Sequence, residues 1–533
     1  MIKPLKKIVI VGGGSAGWMS ASALINAFPD KEIVVIESPD VPIVGVGEST
    51  LGGINDFCHF LGIDEKDFMQ HTDASYKMSI KFTDFYEKDA GGFHYPFGKP
   101  YIDQSNIHGM HDWLVKKALY KDTPIQDFVD CYFPSASLFM QNKFDLNKYG
   151  QFDNYDPSND VAYHFDATKF GAWLRDMYCL PRGVKIISDT VKKVNTDDSG
   201  IKELVLKSGE KVTAHLYVDC TGFKSLLLGE ALKEPFTPYD HMLPNNRAWA
   251  TRVPYKDKEQ ELEPFTNSTA IGNGWVWNIP SWERLGTGYV YSDKFIDPED
   301  AKEEFKQHLM SDKMICPRTR KEVDALEFKD IQIRVGIHER TFVKNVVAIG
   351  LSAGFIEPLE SNGLYTVHEF LFKLIKTLLR PAVTQWDRDV YNAATLGMYR
   401  NFAEFVAQHY ALSIRDDTEY WKANANRVYK PEMIGLKPDT AIGFYQLHND
   451  KMFSGTTPDL GGITWISVGC NYFILDKVQA GIRSGFNFNK LEKEFYPVFT
   501  AFEERKARWY EMAKDKPSLY QYLKDNIHTE KEG

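Results

Sequence analysis

Lys7-Ile8-Val9-Ile10-Val11-Gly12-Gly13-Gly14-Ser15-Ala16-Gly17 is followed, after an Ala- and Ser-rich run to Phe28, by Glu32-Ile33-Val34-Val35-Ile36-Glu37. The first apolar run reads as a buried strand. The glycines turn the chain into a helix, and the second run reads as a strand ending at Glu37, so the chain opens with a β-α-β unit. In Gly12-x-Gly14-x-x-Gly17 the first glycine permits the tight turn, the second lets backbone approach a pyrophosphate, and the third lets helix pack on strand. Ser15 and Ala16 open that helix, whose N-terminal N–H groups favour phosphate. Glu37 stands 20 residues after Gly17, where an acid binds adenosine ribose hydroxyls. The unit predicts a dinucleotide site.

Two segments, 13–17 and 350–354, also fit G-x-S-x-G. The first has no preceding strands to build a hydrolase sheet, and the second lacks an obvious ordered Asp and His after it, although His409 and Asp416 follow. FAD is favoured over NAD by two later turns. Asp219-Cys220-Thr221-Gly222 ends a strand, as the second nucleotide-contacting turn does in flavoproteins, and Gly350-Leu351 follows another. No second G-x-G-x-x-G exists for a pyridine nucleotide, so the flavin is expected to arrive already reduced, from a separate flavin reductase.

The 533 residues are 43% hydrophobic and 26% charged, ordinary for a globular protein, with aromatics high at 14%. Net charge is -10 and basic residues are scattered, which argues against a nucleic-acid surface. Cys58, Cys131, Cys179, Cys220, Cys316 and Cys470 form no C-x-x-C pair, the pattern of a reduced cytoplasmic chain without a zinc module. No H-E-x-x-H is present, so no metal is expected. Lys3, Lys6 and Lys7 before an apolar stretch mimic a signal peptide, but the glycines make strand-turn-helix the better reading. No run of 18 apolar residues predicts a membrane span. Homo-oligomerisation is compatible with the sequence and not specified by it.

Residues 140–160 read as a polar loop, 184–220 as further strands, 246–292 as antiparallel strands, 364–379 as a helix, and 451–471 as a loop over a site. The expected fold is α/β, a flavin-monooxygenase-like, two-dinucleotide-binding-fold box. Residues 1–380 would form the FAD-binding and reaction module, with an antiparallel sheet at about 230–330, and 381–533 a mostly helical region completing the substrate site.

The chain resembles the flavin-dependent tryptophan-halogenase family, from its N-terminus to about residue 421. Gly12 to Trp18 carries the family's glycine motif. Gly45-Val46-Gly47-Glu48-Ser49-Thr50 resembles the flavin-strap segment, and Ala74-Ser75-Tyr76-Lys77 with Ile80-Lys81-Phe82 resembles the stretch bearing the reactive lysine. Tyr163-His164-Phe165-Asp166 is another family-like string. Trp275-x-Trp277-x-Ile279-Pro280 matches W-x-W-x-I-P, and Glu357-Pro358-Leu359-Glu360-Ser361 resembles the segment with the reactive glutamate and halide site. Taken singly, Lys77 reads as a snorkelling surface lysine, the tryptophans as core, and Glu360 as a helix N-terminal acid. No packing requirement accounts for the set.

The resemblance implies that reduced FAD, O2 and halide (bromide, iodide or chloride) yield hypohalous acid, which travels to a small electron-rich aromatic substrate such as an indole. Lys77 would hydrogen-bond the oxidant or form a haloamine, and Glu360 would stabilise or deprotonate the ring cation. Backbone N–H groups at Ser361, Asn362 and Gly363 would hold halide, and the tryptophans would separate flavin from substrate. Asn362 departs from the Ser-Thr-Gly common in the family, so the resemblance does not specify which halide is used. The family's Tyr-Tyr and acid pattern that grips the amino-acid part of tryptophan is not evident near 440–456. His108 and Met110 align loosely with the pocket. The rival readings are a flavin-dependent aromatic monooxygenase and a flavin-binding sensor.

Overall fold

The computed structural model describes residues 5–40, 47–107, 111–425 and 488–529. Strand β1 (Lys7–Val11), helix α1 (Ser15–Ala27) and strand β2 (Glu32–Glu37) form as the opening sequence predicts. Val9 and Ile10 are fully buried because helices cover a parallel sheet. That sheet has six strands, in the order Phe342–Val343, Val346–Ala348, Leu216–Asp219, β1, β2, Lys185–Ser188. The turns expected to contact a nucleotide therefore leave neighbouring parallel strands on one edge, where open α/β sheets bind ligands.

A second sheet has seven strands: Lys329–Gln332, Arg247–Val253, Leu285–Tyr291, Gly274–Pro280, Phe265–Ile271, Ser79–Thr83 and Gly92–Pro96. It is wider than the antiparallel block expected at 230–330. Phe265–Ile271 pairs in parallel with Ser79–Thr83, which draws the lysine-bearing stretch to the tryptophan strand. A small three-stranded sheet, Gly47–Ser49, Ala162–Asp166 and Ser75–Lys77, packs against the second.

After Gly363–Leu378 the described chain is helical: Gln385–Ala411, Glu419–Ala425, Phe488–Lys514 and Leu519–Asn526. The first of these runs from the edge of the first sheet, where Asn392 bonds the Phe342 backbone, to the second, where His409 packs on Phe82. The helix Phe488–Lys514 returns to residues 111–139, where Lys506 and Lys116 both pair with buried Asp127. One hydrophobic cluster runs from Ile8 to Ile527. Among the described residues, no helix is long and apolar enough to cross a membrane.

Candidate functional site

Gly12 has φ +117°, and a Cβ there would meet the Cys220 carbonyl oxygen at 2.2 Å. A Cβ on Gly17 would stand 1.9 Å from the Gly12 oxygen. Both glycines are demanded by the fold itself. Gly14 is different: a Cβ there would meet nothing within 4 Å, because it faces a cavity of about 550 Å³. Gly14 also caps α1 without a side-chain hydrogen bond, and no acid sits in the first turn. The positive end of the helix is thus turned uncompensated toward the cavity, through Ser15 and Ala16. Glu37 lines the same cavity. Burial raises its carboxyl above the usual range, opposed by the Arg175 guanidinium 4.0 Å away. This cradle fits a dinucleotide.

The cavity continues past Cys220–Gly222 to Gly350 and Leu351. Gly350 has φ +70°, and a Cβ on it would crowd the Ala16 methyl at 2.9 Å. At its far end the cavity reaches Ser49, Trp277, Ile279, Ser361, Asn362 and Gly363. Gly47–Ser49 is a strand paired with Ala162–Asp166, and the side chain of Glu48 and the segment 41–46 lie outside the description. Thr190 and Thr266 also line the cavity and carried no sequence signal, since each is an ordinary polar residue until folding turns it inward.

Beyond Ser361 lie Lys77 and Glu360, 0% and 1% exposed. Lys77 is the last residue of Ser75–Lys77. Its Nζ donates to the Thr50 carbonyl at 2.9 Å and to Ser361 Oγ at 2.8 Å, and stands 5.0 Å from the Phe97 ring centre. Burial pushes this amine well below the usual lysine range, and the nearby Glu360 charge opposes that shift. Glu360 ends a short 3-10 turn, Pro358–Glu360, and its Oε1 lies 2.7 Å from His409 Nε2. The contact is off the ring's N–H direction, so the two stand at ion-pair distance without an aligned hydrogen bond. Sequence reasoning weighed His409 only for a hydrolase, because its helix is remote in the chain.

Ser361 is left-handed at φ 56°, and Asn362 follows at φ -81°, ψ -6°. A left-handed residue followed by a right-handed one turns successive N–H groups into one concavity, a nest suited to an anion. Asn362 is the N-cap of Gly363–Leu378, with no side-chain cap and no acid in the first turn. Its Oδ1 is buried without a partner.

Trp275 and Trp277 project from one face of Gly274–Pro280, their rings edge to face at 6.1 Å. Only Trp277, with Ile279, lines the cavity. Gly288 on the adjacent strand makes room for it, since a Cβ there would meet the indole at 2.2 Å. Trp275 is fully buried behind it and donates its indole N–H to Glu357 at 2.9 Å. The same Glu357 oxygen accepts from Asn245 at 2.8 Å and Tyr410 at 2.7 Å. Pro280 contributes its carbonyl to the Ser75 hydroxyl at 2.5 Å. His108, Met110, the 440–456 stretch and the 451–471 loop lie outside the described residues.

The chain is similar to known proteins over most of its length. A family model described as tryptophan halogenase matches residues 7–452. The tryptophan 6-halogenase ThaL of Streptomyces albogriseolus is 35% identical over 438 residues, covering 79% of each chain. The solved VirX1 apo structure superposes with a TM-score of 0.86 at 36% identity, covering 99% of both chains. BrvH, a flavin-dependent halogenase from Brevundimonas sp. BAL3, gives a TM-score of 0.80 at 28% identity over 98% of this chain and 99% of that one.

Proposed function

The chain belongs to the tryptophan halogenase family, and from that premise we propose that it uses reduced FAD, O2 and halide to make hypohalous acid, which halogenates an electron-rich aromatic ring such as an indole. The observation that carries this reading is the order of groups along one path. The dinucleotide cradle at Gly14 opens onto a cavity that ends at Ser361–Gly363, with Lys77 bonded to Ser361 just beyond.

Reduced flavin, when bound, would supply two of the four electrons that reduce O2, and halide would supply the other two as it is oxidised. The chain's own residues do the rest. The nest at Ser361, Asn362 and Gly363 holds the halide. Trp277, backed by Trp275, closes the cavity on the substrate side and keeps the ring from the cofactor. Lys77 receives the oxidant, and the Glu360 carboxylate faces the cation that develops on the ring and takes its proton. A separate reductase supplies the flavin, in the reducing cytoplasm that suits the free cysteines.

The test is incubation with FAD, NADH, an added flavin reductase, bromide or chloride, and a panel of indoles and phenols. Mass spectra should show mono-halogenated products that require the reductase. Hydroxylated products, or rapid NADH oxidation without the reductase, would replace this reading with an aromatic monooxygenase.

A further inference from the structure

We propose that His164 is the proton acceptor that serves Lys77, through a buried relay of three hydroxyls, Ser361, Ser49 and Thr266. The inference rests on the reading of Lys77 given above and concerns how its amine is readied.

Hydrogen-bond direction along the chain follows from its two ends. The Pro280 carbonyl can only accept, so the Ser75 hydroxyl donates to it at 2.5 Å. The Ser75 oxygen is then left to accept from His164 Nδ1, 3.4 Å away, which puts the imidazole proton on Nδ1 and leaves Nε2 as an acceptor. Thr266 Oγ1 lies 2.8 Å from that Nε2. Ser49 Oγ lies 2.6 Å from Thr266 Oγ1 and 3.0 Å from Ser361 Oγ. At the other end the Lys77 ammonium can only donate, and does so to Ser361 Oγ at 2.8 Å. An ammonium at one end and a carbonyl at the other orient every hydroxyl the same way. Each member is at most 7% exposed, and the three hydroxyls border the cavity, so a bound cofactor would shield these bonds from water.

The proton balance closes. Lys77 gives a proton to Ser361 as Ser361 gives its own to Ser49, Ser49 to Thr266, and Thr266 to His164 Nε2. One N–H bond breaks at Lys77, one forms at His164, and each hydroxyl keeps one hydrogen. The freed amine takes the halogen from hypohalous acid and water leaves. When the halogen has passed to the ring, with the ring proton returned to the nitrogen by way of Glu360, the imidazolium sends its own proton back.

Burial lowers the proton affinity of both Lys77 and His164, and the lysine charge lowers that of His164 further. The charged group facing Lys77 from another element is Glu360, itself beside His409. In the relay these two groups hold one positive charge between them, so loss of His164 leaves the proton on Lys77 to higher pH.

The experiment measures halogenated product per flavin oxidised across the neutral range for wild type, His164→Gln, Thr266→Val and Lys77→Ala, each saturated with flavin. With His164→Gln, product near neutral pH should fall at least about tenfold, and the acid limb of the profile should move to higher pH, so that alkali restores activity. Thr266→Val keeps the imidazole but cuts the relay, and should show the same upward shift even if the first variant fails to fold. A wild-type profile in both, or a loss by one constant factor at every pH, would overturn the relay while leaving Lys77 in place. Product from Lys77→Ala would instead overturn the reading of Lys77 and the relay with it.

Discussion

Lys77 Nζ donates to Ser361 Oγ at 2.8 Å although 284 positions separate them in the chain. This contact joins the end of the cavity to the buried amine, and under the proposed reaction it makes the halide nest and the halogen acceptor neighbours. A small oxidant formed at one has a short route to the other.

The two glycines of the opening turn should fail in different ways. Gly14→Val adds a side chain to open space at φ -79°, ψ -175°, a conformation valine adopts readily. The melting temperature should hold while FAD affinity, read by fluorescence titration, is lost. Gly12→Ala meets both a φ of +117° and the Cys220 carbonyl, so it should cost stability by more than about 1–3 kcal/mol, read as a lowered melting temperature.

Lys77→Ala and Glu360→Gln should each reduce halogenation by about 10²–10⁴-fold while flavin oxidation continues. Peroxide or hypohalous acid released to solvent accounts for the difference, and a halide-dependent dye assay reads it. Product above about a tenth of wild type from Lys77→Ala would remove that lysine from the chemistry.

Glu357 should behave as a buried anchor rather than a reacting group. One of its oxygens accepts from Trp275, Asn245 and Tyr410, so Glu357→Gln turns an acceptor partly into a donor against three donors. Thermal melts should show a loss of about 1–3 kcal/mol. Trp277→Ala, by contrast, opens the cavity wall, and should lower the ratio of halogenated product to flavin oxidised with little change in FAD affinity.

Asp127 makes stability depend on acid. Burial raises its carboxyl, but Lys506 and Lys116 outweigh that and hold it below the usual range. A depressed carboxylate contributes stability that is complete above its unfolded value near 3.8 and is lost as pH falls through the lower folded one. Asp127→Asn should remove that acid step. At neutral pH it should cost about 1–3 kcal/mol, because Lys116 and Lys506 keep their pairing with Glu503, with faster hydrogen exchange in Phe488–Lys514.

Substrate and halide choice can be read in one competition assay. With equal chloride and bromide, brominated product should be at least as abundant, because bromide is the easier to oxidise and Asn362 departs from the usual residue. Simple indoles should be turned over alongside tryptophan, since related rings in an apolar pocket differ by only about 1–3 kcal/mol. A strong preference for tryptophan with chloride would overturn both expectations.

The sequence by itself determined the β-α-β opening and the glycine turn at Gly12, Gly14 and Gly17, because turn geometry and strand alternation are local; the candidate site groups came from the family resemblance alone. Two-residue spacing likewise put Trp275 and Trp277 on one face. Only the tertiary structure decided that Trp277 walls the cavity while Trp275 is held behind it, since Gly288 and Glu357 approach from other elements. The parallel pairing of Phe265–Ile271 with Ser79–Thr83, wider than the expected antiparallel block, likewise has no local signature. His164 stood only in a family-like string and His409 only as a hydrolase candidate, until register and helix packing set one on the hydroxyl chain to Lys77 and the other against Glu360. Proton paths and buried charge pairs depend on distances between remote segments, and those distances exist only once the sheets have closed over them.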